Sequence, residues 1–326
     1  MKLVPIGIEN FKEMIDKNAY YVDKTNLIEN ILNEQSVFFT RPRRFRKTLN
    51  MSMLYYFFSI KEKENAYLFN GLNISKNKEA IKHQNQYPTL FITLKDMKNS
   101  SYEKQMNRFK EVICLCAKSH LELLNSERLL ASEKKLFQKY VDNETEDNEL
   151  EKSLFNISYF LYKHYHQKVI ILIDEYDVPL QAAYQYNYYD EMVEFLRSVF
   201  SSALKTNDAL EKGIMAGCLR ISKESIFTGL NNFKAYSILY KSKNEYFGFT
   251  KKEILQLLKD YNLSDYVDEV KEWYDGYLFG NIEIYNPWST LMYVDCKLNS
   301  SDNKPISFWA NTSGNDLVVN YIQNGR

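Results

Sequence analysis

The sequence predicts an α/β chain: a parallel sheet flanked by helices, followed by a small helical subdomain. Two observations carry this expectation. Short runs rich in β-branched and aromatic residues, "SVFFT" (36–40), "TLFITL" (89–94), "KVIILID" (168–174) and "GIMAGCL" (213–219), are separated by segments of helical period. Two of these runs, at 90–94 and 169–173, are nearly continuous in apolar residues rather than alternating. Strands of that kind are covered on both faces, as in a sheet flanked by helices.

The elements follow in order. "KTLNMSMLYYFF" comes after the first run, "YEKQMNRFKEVICLCAKSHLELL" after the second, "LEKSLFNISYFLYKHY" before the third and "YDEMVEFLRSVFSSALK" after it. Strand and helix alternate, which is the crossover pattern of a parallel sheet. From about residue 248 the character changes, through "FTKKEILQLLKDYNL", "SDYVDEVKEWYDGY" and "IYNPWSTLMYVDCKL", to helical segments with short polar joints. The predicted division is 1–247 for the sheet domain and 248–326 for a helical, lid-like subdomain. No internal repeat is visible.

Composition narrows the function classes. A chain of 326 residues with 45% hydrophobic content can fill a sizeable core, which excludes a disordered or fibrous protein. Lys+Arg and Asp+Glu both total 42, so there is no global electrostatic footprint for nucleic acid and any basic site must be local. "MKLVPIGIENFKEMI" lacks a continuous apolar leader, and no window approaches an uncharged membrane span, so a cytoplasmic protein without a membrane partner is expected. Cys114, Cys116, Cys218 and Cys296 form no CxxC pair and read as reduced, partly buried thiols. The acidic run 142–151 reads as a solvated loop entering a helix, and His164 and His166 as surface histidines at a helix end.

Three places carry chemistry. Phosphate loops lie between a strand and the helix after it, where unpaired backbone N–H groups and the positive dipole end face an anion. In "FFTRPRRFRKTLN", Lys47 and Thr48 fall where GxxxxGK[ST] places its phosphate-binding lysine and Mg²⁺-binding hydroxyl, while Arg41 and Arg46 occupy the glycine positions. A plain basic turn is the structural alternative. The run "VIILIDEYD" ends in Asp174 and Glu175. In ATPases, an Asp there orders Mg²⁺ and the next Glu polarises the attacking water, although polar residues also mark where any buried strand reaches solvent. The two motifs support each other on separate strands. In "GCLRISKESIFTGLNNF" (217–233), Arg220 is a candidate sensor or arginine finger, or a solvent-facing strand-end residue.

These stretches, with "PIGIENFKEMIDKNAYYVDKT" (5–25) and "WYDGYLFGNIEIYNPWS" (273–289), together resemble the bacterial AAA-ATPase-like family, in the same order and over nearly the whole chain. The resemblance implies a P-loop NTPase fold of the additional-strand (ASCE/AAA-like) type that binds ATP and Mg²⁺. It implies Walker A roles for Lys47 and Thr48 and Walker B roles for Asp174 and Glu175. On this reading Arg41, Arg43, Arg44 and Arg46 belong to the nucleotide loop, Thr48 and Asp174 order the metal, and Glu175 and Arg220 serve a slow hydrolysis. Two departures stand out. The family's loop usually reads R-P-R-R-F-G-K-S, so Arg46 replaces the glycine normally kept, and Ala216-Gly217 stands where members often carry Thr-Gly.

Members typically continue into a PD-(D/E)XK nuclease-like domain, which would begin where this sequence ends, near Arg326. The partners expected are ATP, a second copy of the chain, because many such ATPases complete their site between subunits, and nucleic acid through that domain. Two other readings remain open at this level. One is a pseudo-ATPase that keeps the fold as a binding or scaffold module. The other is a nucleic-acid-binding protein that uses the basic turn at 41–47.

Overall fold

The computed structural model describes residues 1–218, 233–240, 242–299 and 305–308. The main sheet is built from β1 (Ser36–Thr40), β2 (Thr89–Thr93), β3 (Val169–Asp174), β4 (Leu210–Gly217) and β5 (Lys234–Tyr236), in the order β2-β3-β4-β1-β5. Every neighbouring pair is parallel. Alternate residues of the central strands go to opposite faces. Phe38, Ile171, Ile173 and Met215 join one apolar cluster with the helices Tyr102–Lys118, Ser153–Tyr165 and Tyr189–Leu204. Val37, Phe39, Ile170, Leu172, Ile214 and Ala216 join a second with the helices Phe11–Asp16, Asn26–Ile31 and Lys47–Phe58. This two-sided burial is why the runs at 90–94 and 169–173 are apolar without alternation.

β4 begins three residues before the apolar run suggests, because Glu211 and Lys212 interrupt the hydrophobic signal. The Lys212 ammonium is buried and donates to the carbonyl oxygen of Glu34 at 2.9 Å. β5 is too short, and begins with an exposed lysine, to be read from periodicity.

The segment after 248 differs from the all-helical expectation. Helices Lys251–Asp260, Val267–Tyr274 and Pro287–Asn299 accompany an antiparallel sheet of β6 (Phe249–Thr250), β7 (Tyr277–Phe279) and β8 (Ile282–Tyr285), ordered β6-β8-β7. The physical cause is a two-residue hairpin turn at Gly280-Asn281, with Phe279 opposite Ile282 and Gly280 at φ 58°, the left-handed backbone that such a turn requires. The N-terminal segment binds this unit to the sheet domain. Val4, Tyr20 and Val22 pack on its apolar cluster, and the buried Lys24 ammonium lies 2.6 Å from Glu253. No helix among the described residues is long and apolar enough to cross a membrane.

Strand register positions the site. Thr40 lies opposite Gly217, and Ala216 opposite Asp174. The loop after β1 and the acidic end of β3 therefore share the carboxyl edge of the sheet, with β4 interposed, and crevices at that edge are where open α/β sheets bind ligands.

Candidate functional site

The loop between β1 and the helix Lys47–Phe58 is held without glycine. Arg44 and Arg46 both adopt left-handed backbone, at φ 68° and 58°, and Arg46 is the N-cap residue. A non-glycine residue in that conformation costs roughly 1 kcal/mol, so something else must fix the loop. Phe45 does: it is fully buried against Phe279 and Ile284, its ring 4.9 Å from that of Tyr277 and 5.1 Å from that of Phe279. Gly248, at φ 89°, leaves room for it, since a Cβ there would come within 2.9 Å of the Phe45 ring.

The cations of the loop divide. Arg41 is fully buried. It donates to the carbonyl oxygens of Thr40 (2.8 Å) and Tyr236 (2.5 Å) and to Asn244 Oδ1 (2.8 Å), and its guanidinium lies 4.8 Å from the Phe247 ring centre. Burial pulls its pKa down to about 9, so it stays charged at neutral pH. Arg44 stacks on Trp288 at 4.1 Å and Arg46 lies 5.5 Å from the Phe249 ring centre, with burial pulling Arg46 down to about 10. Arg43 instead faces the helix after β3, Val178–Gln185, and donates to Gln181 Oε1 at 2.8 Å. Lys47 is buried, 3.8 Å from Glu175 Oε1, and donates to Cys218 Sγ at 3.1 Å and to the Pro42 carbonyl at 3.2 Å. Burial would lower Lys47, but Cys218 and Glu175 outweigh it and the ammonium is held above the usual lysine range. Burial pushes the Cys218 thiol up to about 11, so at neutral pH it meets Lys47 as a neutral acceptor.

Asp174 ends β3 fully buried. Its Oδ1 accepts from the Glu175 backbone N–H at 3.0 Å, and its Oδ2 has no hydrogen-bond partner among the described residues. Burial pushes this carboxyl up to about 6, partly offset by the Thr48 hydroxyl and by Lys47. Glu175 has left-handed backbone at φ 56°, a strained placement of the kind found at functional sites. No side chain caps the N-terminus of the helix Lys47–Phe58, which leaves its first N–H groups facing the same edge. Glu175, Asp177 and Cys218 bring potential metal ligands within 4.8 Å of one another, but the Lys47 ammonium already stands among them as the neutralising charge.

A cavity of about 570 Å³ opens over these groups. Arg43, Arg44, Arg46, Lys47, Thr48 and Glu175 line it, together with Lys95 and Lys98 and with the apolar Pro5, Ile8, Pro287, Leu291 and Trp288. The structure thus brings together Lys47, Thr48, Asp174, Glu175 and Arg43, and Arg44 and Arg46 line the same cavity while lying against aromatic rings. It turns Arg41 away into the scaffold, and Arg220 lies outside the described residues. Sequence reasoning missed Lys95, Lys98 and the wall formed by 5–8 and 287–291. The signal for that wall was present in "PIGIEN" and "YNPWS", which stood out without a chemical role.

A family model described as predicted AAA-ATPase matches residues 5–227. A protein described as uncharacterized, from the region 5′ of vnfD in Azotobacter chroococcum mcd 1, is 25% identical over 295 residues, which is 89% of this chain and 51% of that protein. The chain thus spans about half the length of this relative. No solved structure matches it significantly. With more than half of its length matched by the family model, this chain belongs to the AAA-ATPase-like family.

Proposed function

We propose that the chain binds ATP with Mg²⁺ in the cavity over Lys47 and hydrolyses it slowly. One observation carries this reading. A buried lysine at the first turn of an uncapped helix and two carboxylates at the end of a neighbouring strand converge on one cavity, and one buried carboxylate oxygen lacks a partner. The interposition of β4 between β1 and β3 fits an additional-strand P-loop sheet. Phosphates would lie on the N-terminus of the helix Lys47–Phe58, with Lys47 releasing Glu175 to contact them.

The residues fit a divalent cation. Asp174 Oδ2 is an orphaned acceptor and the Thr48 hydroxyl stands beside it, so these two would hold Mg²⁺, which would supply neutralisation of phosphate charge. Glu175, freed from Lys47, would orient a water and take its proton. Arg43 adds positive charge at the same end. Apolar Pro5, Ile8, Pro287 and Leu291 suit the base.

Titration of the chain with ATP and Mg²⁺, read by thermal shift and phosphate release, tests this. The expected result is a stabilising shift and Mg²⁺-dependent release, with Glu175→Gln keeping the shift and losing release. Absence of any shift overturns the reading. A second reading, a pseudo-ATPase that binds nucleotide as a switch, is favoured by the grip of Cys218 and Pro42 on Lys47, and a shift without release supports it. The basic turn offers less to a nucleic acid, because Arg41 is fully buried and Arg44 and Arg46 lie against aromatic rings.

A further inference from the structure

A chain of part-buried polar contacts leads from Arg43 to residues to which the proposed hydrolysis gives no role. Arg43 donates to Gln181 Oε1 at 2.8 Å, Gln181 Nε2 donates to Asp177 Oδ2 at 2.7 Å, and Asp177 Oδ1 accepts from the Cys218 backbone N–H at 3.0 Å. Asp177 is fully buried. The chain has a fixed polarity: a guanidinium can only donate and a carboxylate can only accept, so the Gln181 amide has one orientation that satisfies both. Gly217 makes it geometrically possible, since a Cβ there would lie 2.5 Å from Asp177 Oδ1 and 2.5 Å from the Tyr176 ring. Three segments are joined this way: the loop after β1, the helix after β3 and the end of β4, where Cys218 touches Lys47.

We propose that Gln181 and Asp177 are positioning residues that aim Arg43 at the terminal phosphate and fix the end of β4 beneath Lys47, so that the site distinguishes a triphosphate from a diphosphate. This rests on the nucleotide reading above. Arg43 lines the cavity together with Glu175 and Lys47, and Gln181 is one of the groups that hold its guanidinium. Gln181 in turn is set by the buried Asp177 carboxylate rather than by solvent.

The polarity makes the test specific. Asp177→Asn keeps the shape and the Cys218 contact through its remaining oxygen, but whichever way the Gln181 amide then turns, either Arg43 or Asn at 177 meets a donor with a donor. Gln181→Leu, at a half-buried helix position, removes the link outright. Affinities for ADP and for a non-hydrolysable ATP analogue would be measured with Mg²⁺ on wild type and both variants, with melting curves as the folding control. The wild type is expected to prefer the triphosphate by about tenfold, equivalent to ~1.4 kcal/mol. Both variants should lose that preference while retaining ADP affinity within about threefold. A preference left intact in folded Gln181→Leu overturns the relay, as does a parallel loss of ADP and triphosphate affinity, which would mark a merely structural role. Failure of the nucleotide reading looks different: wild type would bind neither ligand.

Discussion

The two sides of the loop at 41–48 are built from the same residue types and meet different partners. On the side facing the C-terminal unit, Arg41, Arg44 and Arg46 lie against Phe247, Trp288 and Phe249, and Phe45 is buried against residues of β7 and β8. On the side facing β3, Arg43 and Lys47 meet Gln181 and Glu175. The difference teaches that residue type alone does not say which partner a loop cation meets. A loop without glycines needs an external mould, and here aromatic rings and buried carbonyls provide one.

If the back of the loop is scaffold, Phe45→Ala should have the largest effect, a loss of about 3–5 kcal/mol in chemical unfolding for a fully buried ring. Arg43→Ala should cost only about 1 kcal/mol in the same assay, the size of one hydrogen bond at a half-buried position. Arg41→Lys comes next, at about 2–3 kcal/mol, because an ammonium cannot reproduce the fork that satisfies the Thr40 and Tyr236 carbonyls together with Asn244. Equal losses for Arg41→Lys and Arg43→Ala would erase the distinction between the two sides.

The front should show the reverse sign. The Asp174 carboxyl is raised from 3.8 to about 6, so the unfolded chain gives up this proton at lower pH than the folded one. Folded wild type therefore loses stability as pH rises between these values, and the loss is complete above the upper one. Asp174→Asn removes that penalty: nucleotide-free protein should gain ~3 kcal/mol at pH 7 and less than about 1 kcal/mol at pH 4, while Mg²⁺-dependent phosphate release disappears. Melting curves at the two pH values check it. The smallest effect is expected of Arg46→Gly, where relief of left-handed strain and loss of the Phe249 contact offset each other to within about 1 kcal/mol.

Much of the sheet was legible because its physics is local. Apolar runs at 90–94 and 169–173 announce strands buried on both sides, and adjacent carboxylates mark where the second of these emerges. Lys47, Thr48, Asp174 and Glu175 could be placed because two motifs on separate strands constrain each other. The direction of each arginine was not legible, since it depends on rings more than two hundred residues away. The mixed character of the region after 248 was hidden in strands of two to four residues, too short for a period of two to register. Asp177 was hidden differently. Its sequence context, "DEYD", draws attention to the first two acids, and only the close approach of Gly217 reveals what the last one holds.

The division of the loop is tested most directly by ATP affinity, measured by titration calorimetry in the presence of Mg²⁺, on Lys47→Ala and Arg46→Gly side by side. The account predicts a loss of at least about tenfold for Lys47→Ala, or ~1.4 kcal/mol, and a change of less than about threefold for Arg46→Gly. A larger change for Arg46→Gly than for Lys47→Ala would contradict it, placing the phosphate contact on the side of the loop assigned here to the scaffold.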